Sequence, residues 1–431
     1  MSDAKTVSVD LPAQGPRALR RKWRKIWRWP LVLLAVMVFL IFDLRPTVQT
    51  PRAPSAEQAD ATRLLAQRTR DAIAASQGRT TVFLSANDLT SATALASWLG
   101  SFGRFQAALA PDSLNVTASR QVLGPLWVNV SAVVSANKQG FPPVALRVGR
   151  VPLGQTISRW IIDTARSIMI ARGVRVPPLD NLVNGVAITP ETVIAQVYFP
   201  PNSGVSGGVA GLRFAPVDAR AAARIYCRLV LLNQRSSATE FSDIVNQAFA
   251  PQRTTLNLVE ANRAAFVGLA AYTTGSGAMR LADGMQKYAA AACPVPRSVT
   301  IIVGRDDLPK HWSLSAALAV AVGDDVSTAM GEWKELSDSR PAGSGFSFVD
   351  LAADRSGVAA ALGATDPARA EAVSARLRRA TSEDVLPIRA LALSEGLSEA
   401  EFITRYGTID SEAFARTKAR IDRVIAKTAG E

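Results

Sequence analysis

The longest run of apolar residues lies near the N-terminus, from Leu31 to Phe42. It is apolar on every side rather than along one stripe, as a lipid-facing helix must be. A bilayer core of ~30 Å needs about 20 residues, so the run is short, but Trp27 and Trp29 extend it at headgroup level. We therefore predict a retained transmembrane anchor over residues 31–44. A cleaved signal peptide and a buried core helix are the alternatives.

The charges on the two sides of this run predict its orientation. Residues 1–30 carry eight Lys and Arg against two Asp, a local charge of +6. After the run, Asp43, Arg45 and Arg52 nearly cancel. Because basic flanks stay inside, we expect a cytoplasmic tail and an exported C-terminal part at the inner membrane. The proline-containing stretch 45–56 is typical of an extended linker.

The next part of the chain mixes two apolar periods. Apolar residues alternate with others from Leu126 to Val134 and from Val144 to Val148, which predicts an antiparallel meander. The stretch Ile157–Ile170 has helical spacing and a broad apolar face, which we expect to pack in a core or, less readily, to hold a lipid tail. These elements predict an α+β domain over residues 57–203.

The glycine-rich segment 204–216 is predicted to be a linker, and the chain beyond it, 217–431, has mainly helical period. One segment, Val299–Val303, is strand-like. The fold class expected for the whole chain is α+β. The predicted helices of the last domain cover residues 217–234, 239–249, 257–273, 279–291, 308–322, 325–337, 348–362, 367–380, 398–406 and 411–428.

The excess of 49 Lys and Arg over 36 Asp and Glu invites a nucleic-acid interpretation. However, +6 of the net charge of +13 belongs to the N-terminal tail, and the rest is dispersed without a basic stripe interleaved with aromatics. We therefore expect no nucleic-acid partner. The only two cysteines, Cys227 and Cys293, can form a disulfide if exported or remain as two buried thiols, and the residues favour neither.

One group of polar residues stands out in the helical part. His311 is the single histidine, and it shares a helix face with Ser315. The next predicted helix carries Glu332 and Glu335 on one face, and the one after it carries Asp350 and Asp354 at i and i+4. Acids in an apolar bundle must be paired, protonated or bound to a cation. The further basic residues nearby are Lys334 and Arg340.

Three kinds of site are compatible with this group. One is general acid–base catalysis by His311, Glu332, Glu335, Asp350 and Arg340. The second is a divalent cation held by His311, Glu332, Glu335 and Asp350, although no known metal-ligand spacing is present. The third is a structural network, in which Asp307 caps one helix, Ser347 and Asp350 form a capping box, and Glu332 or Glu335 pairs with Arg340 or Arg355. No cofactor is otherwise expected.

The spacing of these residues resembles the VanZ-like family and small YfiM-like envelope lipoproteins. Those proteins carry an Asp-Lys-x-x-His start, then E-x-x-Q, an Arg, S-x-x-D and N-x-x-G. Leu308 stands at the Lys position, Glu335 replaces Gln and Asp354 replaces Asn, and the similarity covers about residues 305–360. The resemblance implies a cell-envelope location more than a reaction. The matching residues are Asp307, His311, Glu332, Glu335, Arg340, Ser347, Asp350, Asp354 and Gly357.

The sequence thus predicts a single-pass membrane protein with its bulk in the periplasm and a binding or scaffolding role. Its expected partners are the membrane, envelope lipid, wall material or other envelope proteins. One alternative is a hydrolase of wall or lipid material with His311 as base, Glu332 or Glu335 as its partner, and Arg340 steadying an anion. Another is a lipid carrier that uses the 57–203 domain.

Overall fold

The structure is a computed structural model that describes residues 28–49, 53–76, 78–99, 103–171, 176–198, 216–251 and 254–429. The predicted basic tail up to residue 27 and the glycine-rich segment 204–215 lie outside this part. The protein is α+β, with antiparallel sheets in the first part of the chain and helices in most of the rest.

The apolar run forms helix α1 (Arg28–Ile41), followed directly by a short strand, β1 (Phe42–Asp43). Strand β1 pairs with the strand that contains Val128, so the end of α1 is fixed to a sheet. Among the described residues, no helix combines the length and the apolar character needed to cross a membrane.

The predicted meander is confirmed within one sheet, and other strands of this part form a second sheet. In the first sheet the order is β3-β4-β5-β6-β7, with β1 paired to β5, and in the second it is β2-β9-β8. Strands β2 and β9 pair over seven positions, so they form a sheet of their own. The strands are β2 (Arg79–Ser85), β3 (Arg104–Ala110), β4 (Ser113–Leu123), β5 (Leu126–Ser135), β6 (Val144–Val148), β7 (Val151–Leu153), β8 (Val183–Ile188) and β9 (Thr192–Tyr198).

Four helices accompany the sheets. Helix α4 matches the predicted Ile157–Ile170 helix, but the expectation that its apolar face packs in a core is wrong. Trp160 is 67% exposed and Ile157 52% exposed, while the opposite side of α4 carries the buried Ser158, which accepts a hydrogen bond from the Leu146 N–H of the sheet. The helices are α2 (Ala56–Ala75), α3 (Ala86–Trp98), α4 (Gln155–Ala171) and α5 (Leu179–Leu182).

The helical part follows the predicted segments closely. The 279–291 segment differs, because Gly284 adopts a left-handed φ of +80° and divides it, and the short turns Ser382–Val385 and Ile388–Ala392 were not predicted. Two short strands, β10 (Ala238–Glu240) and β11 (Val299–Ile301), pair in parallel. The helices are α6 (Ala219–Asn233), α7 (Phe241–Phe249), α8 (Leu258–Thr274), α9 (Ser276–Met279), α10 (Met285–Ala292), α11 (Leu308–Val322), α12 (Asp324–Asp338), α13 (Phe348–Thr365), α14 (Ala370–Leu377), α15 (Ser382–Val385), α16 (Glu399–Tyr406) and α17 (Glu412–Ala429), with a 3₁₀ turn at Ile388–Ala392.

Helix α11 lies at the centre of this part and packs against α8, α12 and α13. Its Trp312 is fully buried, contacts Phe241 and Phe266 edge-on or tilted, and donates its indole N–H to the Val385 carbonyl. Helix α2, from the first part of the chain, packs against α12. The helical core therefore holds α11 rigidly and joins the two parts of the chain.

The two cysteines form a disulfide. Cys227 lies in α6, and Cys293 follows α10 directly. The bond therefore joins two helices that pack against each other, across a sequence separation of 66 residues.

Candidate functional site

His311 and the charged side chains next to it, Asp350, Asp354, Glu335 and Arg305, form a polar centre. It is built around the first turn of α11, where Pro309 provides the fixed backbone angle that favours helix initiation. Asp307 occupies the N-cap position but makes no side-chain cap, so its predicted capping role is wrong. Its carboxylate instead pairs with Arg305 at 2.5 Å. One turn into the helix, the His311 side chain points into the bundle and is only 10% exposed.

Two carboxylates of α13 hold the imidazole from both sides. Nδ1 of His311 lies 3.2 Å from Oδ1 of Asp354, and Nε2 lies 3.2 Å from Oδ2 of Asp350. The spacing of i and i+4 places both acids on one helix face, which explains how one ring reaches both. Ser315, one turn along α11, donates a hydrogen bond of 2.7 Å to Oδ1 of Asp354. With Asp350 and Asp354 both ionised, both ring nitrogens must carry a proton to donate to them.

The charges and hydrogen bonds around His311 favour the charged form of its imidazole. Burial lowers the pKa of His311, but the negative charge of Asp354 and the hydrogen bonds with Asp350 and Asp354 outweigh it and raise the pKa to about 10. For Asp350, burial acts to raise the pKa, yet the hydrogen bond and charge of His311 bring it below its usual value. His311 is therefore an imidazolium at neutral pH and lacks the free lone pair of a general base.

A third acid, Glu335, reaches the centre from α12 and is completely buried. One of its oxygens accepts a hydrogen bond from the Ser347 N–H at 3.0 Å, and the other lies 2.9 Å from Nζ of Lys334. Burial raises the pKa of Glu335 to about 7, although Lys334 opposes the shift. Glu335 thereby ties α12 to the start of α13.

Arg305 closes the solvent side of the centre. Its guanidinium contacts Asp350 at 3.2 Å, Asp307 at 2.5 Å and Glu395 at 2.6 Å. Arg305 lies at the start of the segment that resembles the family pattern, but the sequence assigned it no role. Its partners Asp350 and Glu395 are 45 and 90 residues away in the sequence, and no local pattern indicates such contacts.

Two of the predicted catalytic residues turn away from His311. Glu332 is buried but pairs with Lys418 of α17 at 2.6 Å, and Arg340 pairs with Glu399 at 3.0 Å. The predicted pairs of Glu332 or Glu335 with Arg340 or Arg355 are therefore wrong. Sequence reasoning missed Lys418 altogether, since it lies 86 residues from Glu332.

The predicted capping box at the start of α13 is half formed. Ser347 accepts a hydrogen bond from the Asp350 N–H at 3.0 Å, as predicted. The Asp350 carboxylate, however, faces His311, and the Ser347 N–H is bonded to Glu335 instead. The cap thus joins α13 to the polar centre.

Two glycines let the three helices come close enough for these contacts. A Cβ on Gly357 would lie 2.0 Å from the Trp312 carbonyl oxygen, and one on Gly331 would lie 2.8 Å from Oδ2 of Asp354. Only hydrogen fits at either position. The chain also approaches another backbone closely at Gly345, where a Cβ would lie 2.3 Å from the carbonyl carbon of Gly396, and the next residue, Phe346, bridges to Leu397.

The residues that could hold a metal ion are His311, Glu335 and Asp350. Each offers one ligand atom, and these atoms lie within 4.8 Å of one another. Nitrogen and carboxylate oxygen ligands suit zinc or a similar divalent ion. Binding would require His311 to lose a proton and Glu335 to release Lys334, because ligands must be unprotonated and free. Oδ2 of Asp354 is buried and without a hydrogen bond.

A groove of about 540 Å³ lies next to the centre but does not open onto it. The groove is bordered by α13, α14 and α17, and its lining includes Arg355, Leu362 and Asp422 but none of His311, Glu335, Asp350 or Asp354. Of the predicted site residues, the structure thus brings His311, Glu335 and Asp350 together at a position that is largely buried.

Comparisons with protein-family models, with curated proteins and with solved structures give no match.

Proposed function

We propose that the protein is anchored in the inner membrane through α1 and works outside the cytoplasm as a binding or scaffolding protein, and that the polar centre around His311 holds its helical part together. The anchoring rests on the apolar run, the basic tail before it, and the exposure of α1 side chains such as Phe39, which is 65% exposed. A helix that leaves apolar side chains uncovered needs an apolar environment.

The observation that carries the scaffold assignment is the closure of the polar centre. His311 is 10% exposed and lies between two carboxylates, while Arg305 and Lys334 balance the remaining acids. A buried ionic network of this kind stabilises one specific packing of helices when every charge is compensated. The imidazole does not line the adjacent groove.

A hydrolase would need His311 on an open cleft with Glu332 or Glu335 as partner and Arg340 near the substrate. The geometry does not favour it, since Glu332 and Arg340 pair with other helices and the nearest groove is lined by other residues. A lipid carrier is also less well supported, because the apolar side chains of α4 face outward.

A cation-binding role for the same centre is the second candidate. It is favoured by the 4.8 Å grouping of His311, Glu335 and Asp350 and by the unpaired oxygen of Asp354. Thermal unfolding with Zn²⁺ or Mn²⁺ tests it. A rise in melting temperature that disappears in both His311→Ala and Glu335→Gln would support cation binding over the purely structural network.

The resemblance to the VanZ-like and YfiM-like pattern supports an envelope location. His311, Glu335, Ser347, Asp350, Asp354 and Gly357 all contribute to one helix junction. We propose that this shared spacing reflects a shared way of joining three helices.

Chemical modification tests the scaffold assignment. Because the chain has one histidine, diethylpyrocarbonate labelling detected by mass spectrometry reports on His311 alone in a protein without a histidine tag. The native protein is expected to resist labelling near pH 7, where the imidazole is buried and charged, and to react once unfolded in urea. Rapid labelling of the native protein would instead favour an accessible catalytic base.

A further inference from the structure

Helix α4 carries an apolar stripe that the described part of the protein leaves half exposed or more. Ile157, Trp160 and Ile168 recur at helical spacing and are exposed by 52%, 67% and 50%. Ile161 and Thr164 lie between them on the same side of the helix. A large tryptophan and two isoleucines in one row form an exposed patch, which marks an interaction surface rather than scattered surface residues.

The opposite side of α4 is fixed by polar contacts, so the stripe is not free to rotate inward. The buried Ser158 accepts a hydrogen bond from the Leu146 N–H at 3.0 Å. Arg159 pairs with Asp180 at 2.9 Å, and Arg166 donates to the Pro177 carbonyl at 2.7 Å. These contacts hold the apolar stripe on the outside.

The position of α4 in the fold is close to the end of α1. The turn between β6 and β7 contacts that end directly, because the Arg150 N–H donates to the Leu40 carbonyl at 2.8 Å and the Arg150 guanidinium lies 4.5 Å from the centre of the Phe39 ring. Helix α4 begins at Gln155, five residues later, which is at most about 18 Å of extended chain.

We propose that α4 lies in the headgroup region of the membrane with its Ile157–Trp160–Ile168 stripe inserted among the lipids. This inference rests on the proposed anchoring by α1. An amphipathic helix that lies flat at the interface buries its apolar face about 5–10 Å deep, and tryptophan is enriched there because its ring has an apolar body and a polar N–H.

The shortness of the apolar run favours lipid over a protein partner as the occupant. As a helix, Leu31–Phe42 would be about 18 Å long, below the ~30 Å of a bilayer core. Such a span draws the flanking chain towards the bilayer. Arg150 pairs with Asp43 at 2.7 Å at this end of α1, and the nearby stripe supplies the apolar contact with lipid.

A site-specific fluorophore tests the proposal in the full-length protein. The two native cysteines are joined in a disulfide, so a single new thiol in Ile168→Cys can be labelled with an environment-sensitive dye without reduction. Ile403→Cys is the matched control, since Ile403 is an isoleucine on an exposed helix position, 55% exposed, in the helical part. Both variants must first melt like the wild type, and Ile157→Cys replaces Ile168→Cys if that one does not.

The labelled proteins are reconstituted into phosphatidylethanolamine–phosphatidylglycerol vesicles with spin labels at shallow or deep positions. We expect blue-shifted emission and shallow-label quenching at position 168 and neither at position 403. Unshifted, unquenched emission at 168 overturns the proposal. A blue shift without lipid quenching that grows with protein concentration also overturns it, in favour of contact with a second copy.

Anchoring is measured separately by alkaline carbonate extraction of the same vesicles. Retention in the membrane without quenching at position 168 contradicts only the interfacial helix. Release by carbonate contradicts the proposed anchor itself.

Discussion

Protonation of His311 makes the stability of the helical part depend on pH. The folded pKa of about 10 lies above the ordinary value of 6.5, so the charged imidazole stabilises the folded state fully below pH 6.5. That contribution is lost as the pH rises through about 10. Glu335, whose pKa is raised from 4.5 to about 7, also makes the stability of the folded state fall as the pH rises, here between about 4.5 and about 7. In that range the folded state binds the proton more tightly than the unfolded state.

We therefore predict that the free energy of unfolding falls as the pH rises from about 6.5 to about 10, and that much of the fall disappears in His311→Gln. Urea unfolding of both proteins across this range measures it. An equal dependence on pH in wild type and variant would show that His311 is not the group responsible.

Removal of the imidazole should be costly at neutral pH. In His311→Ala, Asp350 and Asp354 lose the cation between them, and breaking a buried charge network in this way costs about 3–5 kcal/mol. The neighbouring Lys310→Ala is the control, because Lys310 pairs with Asp306 where both are exposed. Exposed pairs contribute about 0–1 kcal/mol, so equal losses in the two variants would contradict a structural role for His311.

For single residues, the sequence predicted part of the polar centre. The i and i+4 spacing of Asp350 and Asp354 and the uniqueness of His311 indicated that they could converge, and they do. Lys418 could not be identified as the partner of Glu332, since pairing over such a separation depends on how α17 docks against α12.

Among the elements, α11 and α13 approach each other most closely at Gly357. In Gly357→Ala the added Cβ would meet backbone, the Trp312 carbonyl, and so force the helices apart. We expect a loss of about 3 kcal/mol in the free energy of unfolding. The matched control, Gly363→Ala, lies on the same helix and meets only the tip of Val373 at 3.0 Å.

The control should stay within about 1 kcal/mol of wild type, because the better helix propensity of alanine offsets a small side-chain shift. Denaturant unfolding of both variants measures the two free energies of unfolding. Similar stabilities for Gly357→Ala and Gly363→Ala would mean that the close contact at Trp312 is not required.

The positions of the helices could be predicted from the sequence more readily than the contacts that cover each helix face. The period of apolar residues predicted nearly every segment from α6 to α17, since amphipathic helices show which residues they bury. The same reasoning was wrong for α4, whose apolar stripe is exposed while Ser158 on the other side bonds to the sheet. Periodicity identifies an apolar face but does not identify what covers it.

For the whole molecule, the disulfide between Cys227 and Cys293 is the main covalent constraint on the helical part. It closes a loop with a sequence separation of 66 residues, for which the loop-entropy model gives about 4 kcal/mol. We expect the double variant Cys227→Ser/Cys293→Ser to unfold at a lower denaturant concentration than the oxidised wild type.

Reduction of the wild type should have the same effect as the double substitution and should leave the double variant unchanged. This comparison separates the bond from any packing change caused by serine. A wild type whose unfolding is insensitive to reductant, with complete thiol release shown by mass spectrometry, would contradict a stabilising disulfide.

The account as a whole depends on His311 being a buried cation within a closed junction of three helices. As the sole histidine, it gives a single set of imidazole resonances in nuclear magnetic resonance spectra of untagged protein, and their titration reports its pKa directly. We predict that these resonances keep the shifts of the protonated ring through pH 8 and change only towards about 10. Titration near 6.5, the ordinary value, would contradict the account and show an accessible, neutral imidazole of the kind that a catalytic base needs.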